Sequence, residues 1–425
     1  MKQGRRSLLK AGVGFMALGS LSGISGCSLL SKTLKLKSDP AGILDLPPGF
    51  TYKVLQKKGE MMSDGYPVPG KPDGMASFLA TNGSIVLMRN HELDAREPEF
   101  SPVLYERNKE LFYNKQGAGC VTRVEINPVS LEVLSSNLVL AGTLRNCAGG
   151  ISPWGWVSCE EAVGGLHGYA FLCSPDVLRL SSPNKLASLG KFYHEAFAFN
   201  PETGISYLTE DREDGCLYRF MPEHKDQPFG NGRLQALRVQ SYPQMDTAKG
   251  MLHDIDLDVD WVTIDNPEPE PEDDSCRYQG RDKGAAIISR GEGIWFYGGE
   301  IFFSSTNGGI RGKGQIFRLS HLGQKVNQLK LIYESDGWRG LESPDNIAVS
   351  PRGNLVIAED GSGHDYLWLM NREGKAVVMA KNSLSESEVT GVNFSSDGRL
   401  LFLNIQEQGL TLVISGSFDE YIDQA

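Results

Sequence analysis

Residues Tyr193 to Asp211 read YHEAFAFNPETGISYLTED, and this stretch decides the fold. Two short apolar runs flank Asn200-Pro201-Glu202-Thr203-Gly204, a turn rich in residues that tolerate tight backbone geometry. Polar residues bracket the hairpin: His194-Glu195 lead in, and Glu210-Asp211 lead out. The same unit recurs at Arg290 to Gly308 (RGEGIWFYGGEIFFSSTNG), Ser343 to Gly361 (SPDNIAVSPRGNLVIAEDG) and Val389 to Glu407 (VTGVNFSSDGRLLFLNIQE). Weaker copies lie at Asp73 to Glu92 (DGMASFLATNGSIVLMRNHE) and Asn146 to Glu161 (NCAGGISPWGWVSCEE), making six. Further strands follow most units, such as CLYRFM at Cys216 to Met221 and YLWLM at Tyr366 to Met370. Short strands in six repeated groups predict an all-β fold, a six-bladed β-propeller. A sandwich with uneven insertions has no reason to repeat the polar flanks.

Propeller geometry turns the repeat into a site. The innermost strand of a blade lines the channel and its neighbour returns antiparallel, so the two flanks of one hairpin meet at the same mouth. That end therefore receives Glu195 with Glu210-Asp211, Glu292 with Asn307, and Asp345-Asn346 with Glu359-Asp360. Cys147 with Glu160-Glu161, and Asn90-His91-Glu92, are weaker counterparts. Converging carboxylates repel and are costly to bury unpaired, which points to multivalent cations among them. Oxygen ligands suit Ca²⁺ and Fe³⁺, whereas a thiolate such as Cys147 indicates a transition metal. The competing reading has the acids capping turns or pairing with neighbouring arginines. His91 is either a second-tier partner or proton shuttle for that site, or a residue that closes its blade. His194 alternates away from Glu195 and is structural.

Outside the repeats, Arg5-Arg6-Ser7-Leu8-Leu9-Lys10 carries the paired arginines of a twin-arginine export signal, followed by a Gly/Ala-rich apolar stretch. Leu21 to Gly26 then precede Cys27 in a pattern that resembles a lipobox. The expected organisation is a signal over 1–27, a tether over 28–45 and one propeller domain over 46–425. Within it, an acidic, Pro-rich insertion over 265–280 is expected to be extended and solvated. The expected location is periplasmic or cell-surface, with lipid at Cys27 the sole contact with a membrane. A net charge of −11 excludes non-specific nucleic-acid binding and suits either cation binding or solubility. Six further cysteines without CxxC spacing argue against a zinc ribbon and leave disulfide pairing open.

The strings NCAGGISPWGWVSCEE, YHEAFAFNPETGISYLTED, Arg290 to Gly293, PDNIAVSPRGNLVIAEDG and GVNFSSDGRLLFLNIQ together resemble the PhoX alkaline phosphatases, over about residues 45 to 417. That resemblance implies hydrolysis of phosphomonoesters by a monomeric propeller, with a phosphorylated small molecule as substrate. It implies a cofactor of two Fe³⁺ and three Ca²⁺ ions with a bridging oxo group. It further implies Cys147 as a sulfur ligand to iron and Glu195, Glu292, Glu359 and Asp360 as metal ligands. Glu160, Glu210, Asp211 and Asn346 fall in the same motifs. Arg290 is implied as the clamp for the substrate phosphate, with a salt bridge to Glu292 as the alternative. The chain departs from the family's PWGTW in lacking the Thr after Gly155, and it is shorter than the larger members. Two other classes remain in view at this stage, a calcium-dependent propeller lactonase and a non-catalytic surface propeller with structural metals. Neither accounts for Cys147 or Arg290.

Overall fold

The structure is a computed structural model that describes residues 36–424, apart from 252, 271–275, 325, 338 and 339. The paired arginines and Cys27 lie outside the described residues. No helix among the described residues is long and apolar enough to cross a membrane.

Each sequence repeat forms the inner hairpin of a sheet. The first blade runs Pro72–Leu79, Ile85–His91, Gly119–Ile126 and Val133–Thr143. The second has three strands, Asn146–Ser152, Gly155–Glu160 and Ala170–Cys173. The third begins with His194–Phe199 and Ser206–Glu210, the fourth with Gly291–Tyr297 and Glu300–Ser305. Their outer strands, Gly232–Val239 and Asn327–Glu334, are joined through Leu257–Thr263 into one continuous sheet. The fifth blade starts with Pro344–Val349 and Leu355–Glu359, the sixth with Val389–Phe394 and Leu400–Ile405.

The innermost strands neighbour one another in a closed ring of six. Six apolar clusters fill the spaces between successive blades, such as Ala76, Val86 and Met88 against Trp156 and Phe171. Burying both faces of every inner sheet explains why runs such as HEAFAF are buried throughout. The inner strands also approach closely. A Cβ on Gly74 would lie 2.5 Å from Ala148 Cα, and one on Gly293 2.5 Å from the Ile347 nitrogen, so these positions require glycine.

The ring is closed by the N-terminal strand Thr51–Lys57, which supplies the outer strand of the sixth blade beside Leu410–Ser415. The end of the expected tether also belongs to the fold. Leu44–Asp45 pairs with Asn382 and Lys381 at the edge of the fifth blade, and Leu44 is buried. The described residues of the acidic insertion make specific contacts with the propeller. The insertion ends in the helix Cys276–Asp282, Pro267 O accepts from the Lys191 N–H at 2.8 Å, and Glu268 accepts from the Tyr169 hydroxyl at 2.7 Å. Cys120, Cys147, Cys159, Cys173, Cys216 and Cys276 are all buried, and no disulfide joins any two of them.

Candidate metal centre

Five of the six inner hairpins meet the mouth in the same way. The strand opens with a paired residue (Pro72, Asn146, His194, Gly291 or Pro344), and the ladder breaks register just beyond it. The residue in that break is Asp73, Cys147, Glu195, Glu292 or Asp345 in successive blades, and each lines one mouth cavity. We call these the inbound residues. The returning strand closes the register with His91, Glu160, Glu210, Ser305 or Glu359. One residue further on, at the outbound position, Glu92, Glu161, Asp211 and Asp360 also line the cavity. In the fourth blade this place falls to Thr306, whose hydroxyl donates to Pro344 O at 2.9 Å. Asn346 and Glu388 complete the acidic wall.

Hydrogen bonds behind the wall fix its residues. Asn90 Nδ2 donates to Cys147 O at 3.0 Å and Ala148 O at 2.7 Å, while Trp156 Nε1 holds Asn90 Oδ1 at 2.8 Å. Asn346 Oδ1 accepts from the Gly391 N–H at 2.6 Å.

Nine carboxylates and a thiol thus share a cavity of about 130 Å³ with two arginines. Arg290 Nε and Nη2 donate to the two Asp211 oxygens at 2.9 and 3.2 Å, and Nη2 reaches Glu292 Oε1 at 2.8 Å. Arg145 pairs with Glu92 at 2.7 Å and with Glu161. Two cations do not satisfy nine acids. Burial, followed by neighbouring carboxylates, drives Asp73, Glu195, Glu292 and Glu388 well above the usual range. Asp345 is pushed up to about 7 and Glu161 to about 8, burial again being the first cause. The Cys147 thiol is raised by burial and by Glu195, whose Oε2 accepts from Sγ at 2.9 Å.

This donor set fits metal ions. Ligand atoms of Cys147, Glu161 and Glu195 lie within 4.8 Å of one another, as do those of Glu195, Glu292 and Asp345. Glu195 belongs to both groups, so two cations held there are neighbours. The first group contains sulfur and the second is all oxygen.

Of the residues singled out in the sequence, Cys147, Glu195, Asp211, Arg290, Glu292, Asn346 and Asp360 line the cavity. Glu160, Glu210, Glu359 and His91 do not, because each is the closing residue of its strand and points back into its own blade. Glu160 accepts from the Leu144 and Gly168 N–H groups at 2.9 and 3.0 Å and pairs with His167 at 2.7 Å. Glu210 accepts from the Tyr218 hydroxyl at 2.8 Å. Glu359 accepts from the Glu342 N–H at 2.8 Å, the Tyr366 N–H at 3.1 Å and Trp368 Nε1 at 2.8 Å. His91 bonds Gly70 O at 2.8 Å and Thr122 Oγ1 at 2.9 Å, and burial holds it well below the usual imidazole range. Asp73, Arg145 and Glu388 escaped the sequence reading. Aligning the repeats in columns through Glu195 and Asp211 places Asp73 and Glu92, and a cation two residues before the inbound position flags Arg145. Glu388 has no comparable signal.

The sequence family described as alkaline phosphatase PhoX matches residues 32–138 and 128–409. No curated protein is matched by the sequence. Among solved structures, Pseudomonas fluorescens PhoX in complex with vanadate, a transition state analogue, superposes with a TM-score of 0.69 at 17% identity, covering 91% of this chain and 98% of that one. The gluconolactonase XC5397 from Xanthomonas campestris gives 0.45 at 10% identity, over 87% of this chain and 97% of that one. Regucalcin, a calcium-binding protein from Agrobacterium tumefaciens, gives 0.43 at 12% identity, over 87% and 96%. With the family match spanning nearly all of the propeller and its mouth, the chain belongs to the PhoX family of alkaline phosphatases.

Proposed function

We propose that this chain hydrolyses phosphomonoesters at the mouth cavity, with iron held on the Cys147 side and calcium on the all-oxygen side. The single observation that carries the reading is the crowding of nine carboxylates and one thiol around two arginines, a donor set that calls for cations. Cys147, Glu161 and Glu195 are the residues that would hold iron, since sulfur is not recruited by calcium. Glu195, Glu292 and Asp345 are the oxygen group that suits calcium, with Asp73, Asp211, Asp360, Asn346 and Glu388 available around them. The family's complement of two Fe³⁺ and three Ca²⁺ is the expected stoichiometry. When bound, such cations supply Lewis acidity and charge neutralisation for phosphoryl transfer.

The chain's own groups do the rest. Arg290 presents a planar fork to the non-bridging phosphate oxygens, and its bonds to Asp211 and Glu292 keep that fork oriented. Glu160, Glu210, Glu359 and His91 act one step back, by tying the returning strand to its blade so that the next residue faces the channel. The substrate class is a small phosphorylated molecule, and the protein is read as a monomer.

The test is elemental analysis of natively exported protein together with p-nitrophenyl phosphate turnover. Iron and calcium with turnover support the proposal. Turnover without iron, or iron without turnover, overturns the corresponding half. Export through Arg5-Arg6 and acylation at Cys27 belong to the same proposal. Cys27→Ala is expected to move the protein from the membrane fraction to the soluble one, and equal partition of the two forms refutes the anchor.

A further inference from the structure

Arg145 and Arg290 hold the same position in the second and fourth blades, two residues ahead of Cys147 and Glu292. Both adopt a left-handed backbone conformation, with φ of +45°. Side chains other than glycine's rarely adopt it, and both arginines are held there by the same pair of bonds. The Arg145 N–H donates to Leu93 O at 3.0 Å and its carbonyl accepts from Glu161 N–H at 2.9 Å. In Arg290 the partners are Arg212 O at 2.8 Å and Thr306 N–H at 3.0 Å. The two side chains are therefore launched alike. Each guanidinium meets the outbound acid of the preceding blade, Glu92 for Arg145 and Asp211 for Arg290. Each then adds a carboxylate of its own blade, Glu161 or Glu292.

Lys71 and Ser343 occupy this position in the first and fifth blades, also at positive φ. Neither lines the cavity, and the Lys71 ammonium instead meets Glu97 and Glu407 at 3.0 and 3.3 Å. The two arginines also share what they leave open. Both commit Nε and Nη2 to carboxylates, while Nη1 of each makes no hydrogen bond among the described residues, that of Arg290 reaching Asp360 Oδ2 only at 4.0 Å. Their side chains remain 41% and 32% exposed within one small cavity. A phosphate dianion entering the mouth meets two oriented forks, each with an Nη1 that makes no hydrogen bond among the described residues.

We propose that Arg145 is a second phosphate-holding side chain, acting on the same anion as Arg290. This rests on the phosphatase reading above for its substrate, but not for its binding test. Glu92 and Glu161 play the part for Arg145 that Asp211 and Glu292 play for Arg290, fixing the guanidinium plane so that little freedom is lost when the anion binds.

The experiment uses the full, metal-loaded chain and its Arg145→Gln and Arg145→Lys variants. Inorganic phosphate binding is followed by calorimetry, p-nitrophenyl phosphate turnover by steady-state kinetics and metal content by elemental analysis. Arg145→Gln is expected to keep its metals and to weaken phosphate affinity and raise KM by about ten- to a hundredfold, as loss of charged hydrogen bonds does. The change in kcat is expected to be smaller. Arg145→Lys is expected to recover part of the affinity, because the charge returns without the fork. Unchanged phosphate affinity in Arg145→Gln overturns the proposal, and an added cation in that variant would then make Arg145 a counter-ion for Glu92 and Glu161. If Arg145→Gln does not fold, Arg145→Lys decides: weaker phosphate binding at an unchanged melting temperature supports the proposal, and wild-type binding overturns it. If the wild type binds phosphate but turns over no ester, the phosphatase reading fails while Arg145 is still judged on phosphate affinity.

Discussion

Stripping the cations from this protein is expected to reverse the way its stability depends on pH. The metal-free cavity contains acids whose protonated form is favoured by burial and by one another, with Asp345 at about 7 against an ordinary 3.8 and Glu161 at about 8 against 4.5. A carboxyl whose folded value lies above its unfolded value binds more protons in the folded state between the two. Stability is then greatest below the unfolded value and is lost as the pH climbs toward the folded one. The slope is up to about 1.4 kcal/mol per pH unit for each titrating group, so a group such as Asp345 alone accounts for about 3 kcal/mol between pH 4 and 7. The acids share protons, so their effects do not simply add. With cations bound the sign reverses, since ligands must be deprotonated and metal binding strengthens as the pH rises. The assay is thermal unfolding from pH 5 to 8.5, for protein as purified and after combined calcium and iron chelation. A falling melting temperature for stripped protein and a rising or level one for loaded protein are expected. Stripped protein that is equally stable at pH 5 and pH 8.5 would refute the reasoning, because the acids would then be satisfied by the protein itself.

Cys147→Ser is expected to abolish a sulfur-to-iron charge-transfer band and most activity while leaving a folded propeller, as seen by absorption and circular dichroism; a coloured, active variant removes iron from the assignment. Arg290→Lys is expected to retain its metals and lower kcat/KM by roughly ten- to a thousandfold, since a point charge replaces a fork. Wild-type kinetics with a lowered melting temperature would make Arg290 a structural ion pair. Glu359→Gln is expected to lose about 1–3 kcal/mol of stability, because an amide NH₂ faces donors that a carboxylate accepts, with metal content unchanged. Loss of one cation from that variant would show that Glu359 is a ligand after all.

The repeat was legible in the sequence because strand periodicity and turn chemistry are local. Alternating apolar residues, Asn-Pro-Glu-Thr-Gly and Ser-Asp-Gly turns and recurring polar flanks define six hairpins without reference to any contact between them. The location of the site followed, since inner hairpins in a propeller return both flanks to one mouth. Cys147, Glu195 and Glu292 could be named because each stands at the entry flank of its repeat and within a string that resembles the family's motifs.

Which member of a doublet faces the channel was settled by tertiary structure alone. Glu160-Glu161, Glu210-Asp211 and Glu359-Asp360 are chemically near-equivalent pairs, and successive residues of a strand point to opposite sides. The register breaks just inside each inbound residue, so alternation counted along the hairpin cannot be carried across it. Hydrogen bonds to the third strand then capture the first acid of each pair, through Tyr218 for Glu210 and Trp368 for Glu359, and release the second to the cavity. His91 and Glu92 divide in the same way, with the imidazole in the blade and the carboxylate at the mouth. Arg145, Glu92 and Glu161 come together from two different blades. A pairing of that kind depends on the packing of successive blades, which places segments 53 residues apart side by side, and no local pattern in the chain encodes it.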